Sequence, residues 1–216
     1  VECLEGIKQT CEFLEYPVVS GNVSFYNGTN RKNINPTPVI GGVGLIKKIS
    51  KPINHNFKQE NSHLVLIGKT FGHIEQSCFL KENYSIIEGM PPEINLHNEK
   101  NNGETLLKLI QENLVLSSHD VSSGGLITAI SEMTFSSEIG AKILKPKKLA
   151  NFINYLFGED QARYVVEIAS NNLSKAEKIL KNSNIYYEII GFTQKNNLEV
   201  EDEFKINVKD LFKIND

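Results

Sequence analysis

Cysteine is scarce in this sequence, and long apolar runs are missing. The three cysteines, Cys3, Cys11 and Cys78, are an odd number and lack the paired spacing of a metal site. They argue against a disulfide framework and predict reduced thiols in a cytoplasmic protein. Apolar runs such as Leu64 to Ile67 are far too short to span a bilayer. No charged and then apolar leader opens the sequence, so we expect a soluble protein without a membrane partner.

Basic residues are not in excess either. The 23 lysines and arginines against 26 aspartates and glutamates give a net charge of −3, which argues against a nucleic-acid partner. The sequence also lacks Gly-x-Gly-x-x-Gly and Gly-x-x-x-x-Gly-Lys-Ser/Thr, so neither a Rossmann dinucleotide site nor a P-loop is supported. No cysteine or serine has a base and an orienting acid in a recognisable arrangement, and a nucleophilic triad is therefore not indicated.

The beginning of the chain shows a single helical pattern. Apolar residues recur at steps of three and four from Glu2 to Glu15, which predicts a helix with Cys3 and Cys11 on or beside its buried stripe. Because the sequence begins at Val1 inside this helix and without a start methionine, we expect a fragment of a longer polypeptide. The next predicted elements are a strand at Pro17–Val19, a polar loop at Gly28–Asn35 and a strand at Pro38–Ile46.

A domain boundary is predicted near residue 50, because Lys47–Ser62 is polar and has little apolar periodicity. The chain then consists of domains 1–50 and 51–216. In the second domain helices and strands alternate, which indicates an α/β fold of the α+β type, with helices covering a mixed sheet. Gly68–Leu96 is predicted as loops with one short helix. The strands predicted in the second domain are Leu64–Ile67, Leu114–Leu116, Ala141–Leu144, Tyr164–Ile168 and Ile185–Ile190. Four helices are predicted in the same domain. The first has Leu106, Leu107, Ile110 and Leu114 on its apolar side, and the others are Leu126–Met133, Leu149–Phe157 and Leu173–Leu180.

The stretch Gly21-Asn22-Val23-Ser24 is the first candidate site. Gly21 lets a ligand approach the main chain, and Asn22 and Ser24 offer side-chain oxygens two residues apart. In an extended segment that spacing places both side chains on one face. Such a face suits a phosphate or a hard cation such as magnesium. The alternative from the residues alone is an Asx-type turn between two strands.

The polar stretch Ser117–Gly125 is the second candidate site. It is predicted as a glycine-ended turn that leads from a strand into a helix, and a helix N-terminus presents unpaired N–H groups to anions. The alternative is that His119 and Asp120 cap and tie the turn.

Four blocks together resemble one family. They are Pro17–Asn30, Asn35–Ile46, His119–Leu126 and Leu156–Val166. In this order they are similar to the C-terminal part of phosphoribosylformylglycinamidine synthase, the ATP-dependent ligase of purine biosynthesis. The resemblance runs from about Cys3 to the end of the chain. It implies the end of the family's second AIR-synthase-like N-terminal domain, followed by a complete AIR-synthase-like C-terminal domain.

The resemblance also implies a reaction and roles for three residues. The family converts formylglycinamide ribonucleotide, ATP and glutamine-derived ammonia into formylglycinamidine ribonucleotide, ADP and phosphate, with magnesium offsetting the phosphate charge. Carried over by position, Gly21 would approach ATP, Asn22 would ligate Mg²⁺ and Ser24 would bind the substrate. The family's proton-transfer histidines lie upstream of the residues matched here, so the chain by itself is expected to be inactive.

Some positions depart from the family pattern. Gly28 stands where the family usually has Glu, and Ser123 where it usually has Asp, which argues against a metal role for those two loops. Glu159-Asp160-Gln161 resembles a substrate-gripping Glu-Ser-Gln element of the duplicated first half and could be structural here. With no glutaminase-like region after Asp216, the resemblance is to the small form, which works with a separate glutaminase subunit and a small bridging subunit.

Two other functions stay open. One is another enzyme of the AIR-synthase superfamily, such as aminoimidazole ribonucleotide synthetase or selenophosphate synthetase. The other is a catalytically silent domain that holds a nucleotide or mediates assembly.

Overall fold

The chain divides into two units, Val1–Lys51 and Pro52–Asp216. The computed structural model describes residues 1–24, 26–35, 37–46, 53–146 and 151–215. The domain boundary predicted near residue 50 and the first residues of the helix predicted from Leu149 lie outside the described residues. None of the helices in the described part of the chain is both long enough and apolar enough to cross a membrane.

The first unit contains one helix and one small hairpin. Helix α1 spans Glu2–Phe13, as the apolar spacing predicts. Strands β1 (Gly28–Thr29) and β2 (Lys32–Asn33) pair antiparallel. Asn30 and Arg31 between them both have positive φ, which is the conformation that tight two-residue hairpins need. The prediction of a loop at 28–35 missed this hairpin.

Two other predictions for the first unit are wrong. Pro17–Val19 and Pro38–Ile46 form no strand, because no partner strand lies beside them among the described residues of the unit. The apolar stripe of α1 is not buried, since Cys3 is exposed and Cys11 is only half-buried. None of the described residues between 1 and 46 is buried.

The second unit is built on a seven-stranded mixed sheet in the order β4-β6-β3-β7-β5-β8-β9. Strands β5 and β8 are parallel, and the other neighbours pair antiparallel. The mixed α/β architecture predicted from the alternation of elements is confirmed. The strands are β3 (His63–Ile67), β4 (Ser117–Asp120), β5 (Ile139–Ile143), β6 (Tyr164–Ile168), β7 (Tyr187–Lys195), β8 (Asn197–Val200) and β9 (Phe204–Asn207).

Helices cover both faces of this sheet. On one face the buried core contains Leu64 and Leu66 of β3 together with residues of α4 and α5, and on the other Val65 and Ile67 pack with residues of α3 and α6. Successive side chains of a strand point to opposite faces, so a strand buried on both faces reads as a continuous apolar run. The helices of the unit are α2 (Cys78–Tyr84), α3 (Leu96–Gln111), α4 (Gly125–Thr134), α5 (Phe152–Phe157), α6 (Leu173–Asn182) and α7 (Val208–Asn215).

Most errors in the second unit concern polar or charged segments. The strand predicted at Leu114–Leu116 lies instead at Ser117–Asp120, which was predicted as a turn. In α3, Leu107 is exposed and Leu109 is fully buried. Strands β8 and β9 and helix α7 were missed.

Candidate functional site

Gly21, Asn22 and Ser24 lie in an exposed, irregular segment of the first unit. Gly21 does not have a positive φ, and a Cβ atom added to it would meet no heavy atom within 4 Å. Neither the backbone conformation nor packing among the described residues therefore requires glycine there. Asn27 Nδ2 donates to the Ser24 carbonyl oxygen at 2.9 Å, which ties the backbone while the Asn22 and Ser24 side chains stay exposed.

The chemistry of these side chains fits part of a magnesium site. An amide oxygen and a hydroxyl oxygen are hard donors of the kind that magnesium takes alongside phosphate oxygens and water. They cannot complete six-fold coordination by themselves. Over the described residues, no three or more His, Cys, Asp or Glu side chains converge in a way that could hold a metal ion. Asn22 and Ser24 therefore have the donor chemistry of magnesium ligands but do not form a metal site by themselves.

The second candidate site, in the second unit, is the loop before α4. Gly124 precedes the helix with φ of 81°, and Gly125 follows with φ of 73°. A Cβ on Gly125 would lie 2.7 Å from the carbonyl oxygen of Leu156 and 2.7 Å from the carbonyl carbon of Phe157. Both glycines have the left-handed conformation that favours glycine, and at Gly125 the close approach of the α5 backbone also leaves no room for a side chain.

Glu159 fills the anion position at the start of α4. Its Oε1 atom accepts hydrogen bonds from the Gly124 N–H and from the Cys78 N–H at the start of α2, both at 2.8 Å. A carboxylate is the charge that the N-terminal ends of helices favour. The structure thus brings the His119–Gly125 loop and the Glu159–Gln161 element together, with the protein's own carboxylate where an anion was expected.

Asp160 has a similar role in the neighbouring loop. It is buried and accepts from three consecutive backbone N–H groups, those of Phe71 (2.9 Å), Gly72 (2.8 Å) and His73 (3.2 Å). Successive N–H groups that converge in this way form an anion-binding concavity. Asp160 therefore satisfies the 71–73 loop from inside the protein.

Arg163 forms hydrogen bonds to the segments on either side of the Asp160 contact. It is 1% exposed and donates to the carbonyl oxygens of Asp160 (3.0 Å) and Gly158 (2.6 Å) and to the Thr70 hydroxyl (3.2 Å). Burial lowers the pKa of its guanidinium, and the negative charge of Asp160 opposes that shift. These contacts fix the backbone that carries Glu159 and Asp160.

His119 ties the edge strand β4 to helix α4. Its Nε2 atom lies 2.8 Å from Glu132 Oε2, and its Nδ1 atom lies 2.7 Å from the Asp120 carbonyl oxygen. The ring of His55 lies beside it, with centroids 5.4 Å apart. His119 therefore contacts strand and helix rather than the amide groups before α4.

A polar cavity of about 170 Å³ opens between α3, the end of β4 and the loop that leads into β6. Burial raises the pKa of Glu99 in its wall, and a backbone hydrogen bond with Ala162 opposes the shift. Burial also raises the pKa of Tyr164, with smaller contributions from Glu99 and Asp120. These walls offer hydrogen bonds but no nucleophile paired with a base. The lining residues are Glu99, Asp120, Val121, Ser122, Gln161, Ala162, Arg163 and Tyr164.

Sequence reasoning missed the internal role of Asp160 and Arg163. Both are charged residues in the short segment before strand β6, Arg163 directly before it, and both are almost fully buried. Charges beside a buried strand are a usable signal, because a buried charge has to be paired or hydrogen-bonded. Nothing in the sequence indicated that Glu99 and Tyr164 line a shared cavity.

A family model and the sequences of known proteins relate this chain to the same family. A family model described as AIR synthase related protein, C-terminal domain, matches residues 59–203. The PurL subunit of phosphoribosylformylglycinamidine synthase from Pelagibacter ubique is 47% identical over 99% of this chain, which spans 29% of that protein. The PurL subunit from Bradyrhizobium sp. strain ORS 278 is 39% identical over 98% of this chain, again with 29% of its own length covered.

Solved structures show the same fold. Thermotoga maritima PurL complexed with FGAR superimposes with a TM-score of 0.62 at 16% identity, over 74% of this chain and 29% of that one. The T. maritima PurL complexed with ATP gives a TM-score of 0.56 at 16% identity, over 74% of this chain and 27% of that one. The AIR-synthase-like fold and the resemblance to the synthase, both expected from the sequence, are confirmed.

Proposed function

The chain belongs to the family of AIR synthase related proteins, whose C-terminal-domain model matches residues 59–203, and on that premise we propose that it is the C-terminal part of a phosphoribosylformylglycinamidine synthase. The observation that carries the proposal is the 47% identity to a PurL subunit over 99% of the chain. Because the chain spans about 29% of that relative's length, the complete activity belongs to a longer polypeptide.

The reaction proposed for that polypeptide is the conversion of formylglycinamide ribonucleotide, ATP and ammonia into formylglycinamidine ribonucleotide, ADP and phosphate. ATP supplies the phosphoryl group, and magnesium offsets the charge on its phosphates. The family's proton-transfer histidines lie upstream of the residues matched here. We therefore assign proton transfer to residues outside this chain and expect the chain alone to be inactive.

Residues 1–50 are proposed to be the end of the second AIR-synthase-like N-terminal domain, and residues 51–216 the complete C-terminal domain. Burial supports the first assignment, since none of the described residues between 1 and 46 is buried. A segment with many exposed apolar side chains and no core of its own is what the end of a larger domain would look like by itself. The seven-stranded sheet with helices on both faces supports the second assignment.

Within this scheme the Gly21–Ser24 segment is the ligand site of the chain. Gly21 leaves room for ATP to approach the main chain, Asn22 contributes an amide oxygen to Mg²⁺, and Ser24 donates a hydrogen bond to formylglycinamide ribonucleotide. The open space at Gly21 and the exposure of the other two side chains support these roles. The loop before α4 and the Glu159–Gln161 element have a structural role, because their anion positions are occupied internally.

The proposed partners follow from the same family. One T. maritima structure is described as PurLQS, which supports a separate glutaminase subunit and a small bridging subunit. The free cysteines Cys3, Cys11 and Cys78 are compatible with the reducing cytoplasm, where we place the enzyme.

The proposal is tested by assaying two purified proteins for formylglycinamidine ribonucleotide formation from ammonium, ATP and formylglycinamide ribonucleotide. One is the polypeptide of the complete gene, and the other is the 216-residue chain. We expect turnover with the first and none with the second. Turnover by the chain alone would show that its catalytic groups have been assigned to the wrong region of the polypeptide. Substrate-independent ATP binding without turnover by the complete polypeptide would favour a silent binding domain.

A further inference from the structure

The segment from Tyr84 to Ile94, called here the 84–94 strip, exposes an unusual amount of apolar surface. Every residue from 81 to 91 is exposed. The large apolar side chains and their exposed fractions are Tyr84 60%, Ile86 41%, Ile87 64%, Met90 71% and Ile94 64%. Single exposed apolar residues are ordinary, but a contiguous group marks an interaction site.

The backbone of the strip is held in place from one side. Met90 N–H donates to Glu75 Oε2 at 2.8 Å, the Met90 carbonyl oxygen lies 2.8 Å from His73 Nε2, and Gln76 Nε2 donates to the Gly89 carbonyl oxygen at 3.1 Å. Gly89 has φ of 95° and leaves no room for a Cβ beside Glu75. The side chains of His73, Glu75 and Gln76 therefore hold the loop backbone, while the Met90 side chain stays exposed. A surface ordered before binding loses less conformational entropy when its partner docks.

The charges on the strip disfavour a second copy as its partner. Glu88 and Glu93 of the strip are both exposed, and Lys81, just before the strip, is already paired with Glu82 at 3.3 Å. Two such surfaces would bring like charges together, whereas an apolar surface with basic residues at its rim would be complementary.

We propose that the 84–94 strip is the surface on which the rest of the longer synthase polypeptide docks onto the second unit. This inference rests on the proposed function, because the chain spans about 29% of the length of its PurL relatives. A covalently attached domain is present at high effective concentration, so a modest apolar surface is enough for stable docking. Interfaces between domains of one chain bury roughly 600–1,500 Å², which a strip with several exposed apolar side chains can supply in part.

The two methionines of the chain provide the test. Met90 is 71% exposed, whereas Met133 is fully buried. Dilute hydrogen peroxide oxidises accessible methionine to the sulfoxide, with peroxide reduced to water, and mass spectrometry of proteolytic peptides measures each site. In the 216-residue chain we expect rapid oxidation of Met90 and slow oxidation of Met133. In the polypeptide of the complete gene, oxidation of Met90 should slow by about tenfold or more as it becomes covered.

A pair of substitutions makes the test specific. In the complete polypeptide, Ile87→Asp should restore rapid oxidation of Met90, because a carboxylate inside an apolar interface is costly. Ile153→Asp is the matched control, since Ile153 is 50% exposed on α5 and outside the strip, and it should leave Met90 protected.

Several outcomes would overturn the inference. Met90 could be as reactive in the complete polypeptide as in the 216-residue chain. It could be protected in the 216-residue chain only at high concentration, which would indicate a second copy, or in the complete polypeptide only after separate subunits are added. The turnover assay keeps the two proposals apart. An active polypeptide with a reactive Met90 contradicts the docking surface alone, and a protected Met90 in an inactive polypeptide contradicts the proposed function alone.

Discussion

At the scale of single residues, the two candidate sites differ in what satisfies their polar groups. In the second unit, five backbone N–H groups from three segments find acceptors in the side chains of Glu159 and Asp160. In the first unit, the side chains of Asn22 and Ser24 face solvent. An external anion would have to displace a carboxylate in the second unit. In the first unit no such internal partner is present on the side chains of Asn22 or Ser24 among the described residues, and for this reason we propose the ligand site there rather than in the second unit.

Replacing Glu159 tests whether its carboxylate takes the place of a ligand. Glu159→Ala removes the shared acceptor of Cys78 and Gly124, and we expect the free energy of unfolding to fall by about 3 kcal/mol. Formate should recover some of this loss when compared with chloride at equal ionic strength, because it can occupy the vacated position. Urea unfolding measures both effects.

The matched control for Glu159 is its exposed neighbour Gln161, whose side chain donates to the Glu159 carbonyl oxygen. Gln161→Ala should change the unfolding free energy little and show no response to formate. An unchanged stability of Glu159→Ala, or an equal formate effect on the unsubstituted chain, would contradict the role assigned to the carboxylate.

Replacing Asn22 and Ser24 in the complete polypeptide should give different signatures. Asn22→Ala deletes a metal ligand and should raise the magnesium concentration needed for activity. Ser24→Ala should mainly raise the concentration of formylglycinamide ribonucleotide needed for activity. The expected loss of binding free energy is about 1–3 kcal/mol, the usual cost of an unpaired polar partner. Activity is measured against each concentration together with the melting temperature. If the segment is only a turn, both changes lower the melting temperature and leave the two curves unchanged, and an unshifted magnesium curve for Asn22→Ala would falsify its metal role.

At the scale of single elements, Gly103 in α3 and Gly125 in α4 differ in whether the structure leaves room for a side chain. Gly103 lies inside α3 with space for a methyl group, since a Cβ added to it would lie 3.7 Å from Tyr164 Oη, an ordinary van der Waals contact. We expect Gly103→Ala to stabilise the protein by about 1 kcal/mol, the difference in helix propensity. Gly125→Ala should destabilise it by roughly 2–4 kcal/mol, because a positive φ and contact with the α5 backbone both oppose a Cβ. Thermal unfolding of the two variants gives the comparison, and equal effects of one sign would contradict it.

Elements with apolar side chains were predictable from the sequence. Strand β3 was predicted with all but one residue, because Leu64–Ile67 is the continuous apolar run typical of a strand buried on both faces. Strand β6 was predicted with its observed bounds, because all of its residues except Glu167 are aromatic or aliphatic. Strand β4 was not predictable in this way. Its Ser117 pairs across the sheet with the buried Glu167, whose Oε2 accepts from the Ser117 hydroxyl at 2.7 Å. The buried position in β4 is therefore occupied by a polar residue, and the sequence shows no apolar run there.

The strands β8 and β9 were missed for a related reason. Glu199 of β8 stands opposite Lys142 of β5 and Lys205 of β9, and its carboxylate lies 2.8 Å and 3.6 Å from their ammonium groups. Opposite charges across neighbouring strands stabilise a sheet, and they become visible only once the strands are paired. The sequence around Glu199 is rich in charge and reads locally as a solvated segment.

At the scale of the whole molecule, the strands predicted at Pro17–Val19 and Pro38–Ile46 failed because a strand depends on neighbours. Both segments carry the apolar and β-branched residues of strands, yet Val19, Val39 and Val43 are each 91% exposed. Local propensity alone does not form a strand, and among the described residues of the unit only β1 and β2 pair. The roles proposed for Gly21, Asn22 and Ser24 were accessible only through the family resemblance, since the segment alone is equally compatible with a turn.

The last prediction concerns the stability of the two units. A segment of about 50 residues whose described side chains are all outside a core cannot offset the conformational entropy of folding, so residues 1–51 as a separate peptide should show no cooperative unfolding. Residues 52–216 contain both buried clusters and should unfold cooperatively. Because the slope of unfolding free energy against urea scales with the surface exposed, this slope should be the same for residues 52–216 and for the whole chain. Amide exchange in the whole chain should be fast throughout residues 1–46 and slowest in β3 and β6. A steeper slope for the whole chain, or slow exchange in residues 17–19 and 38–46, would mean that the first unit folds with a core of its own.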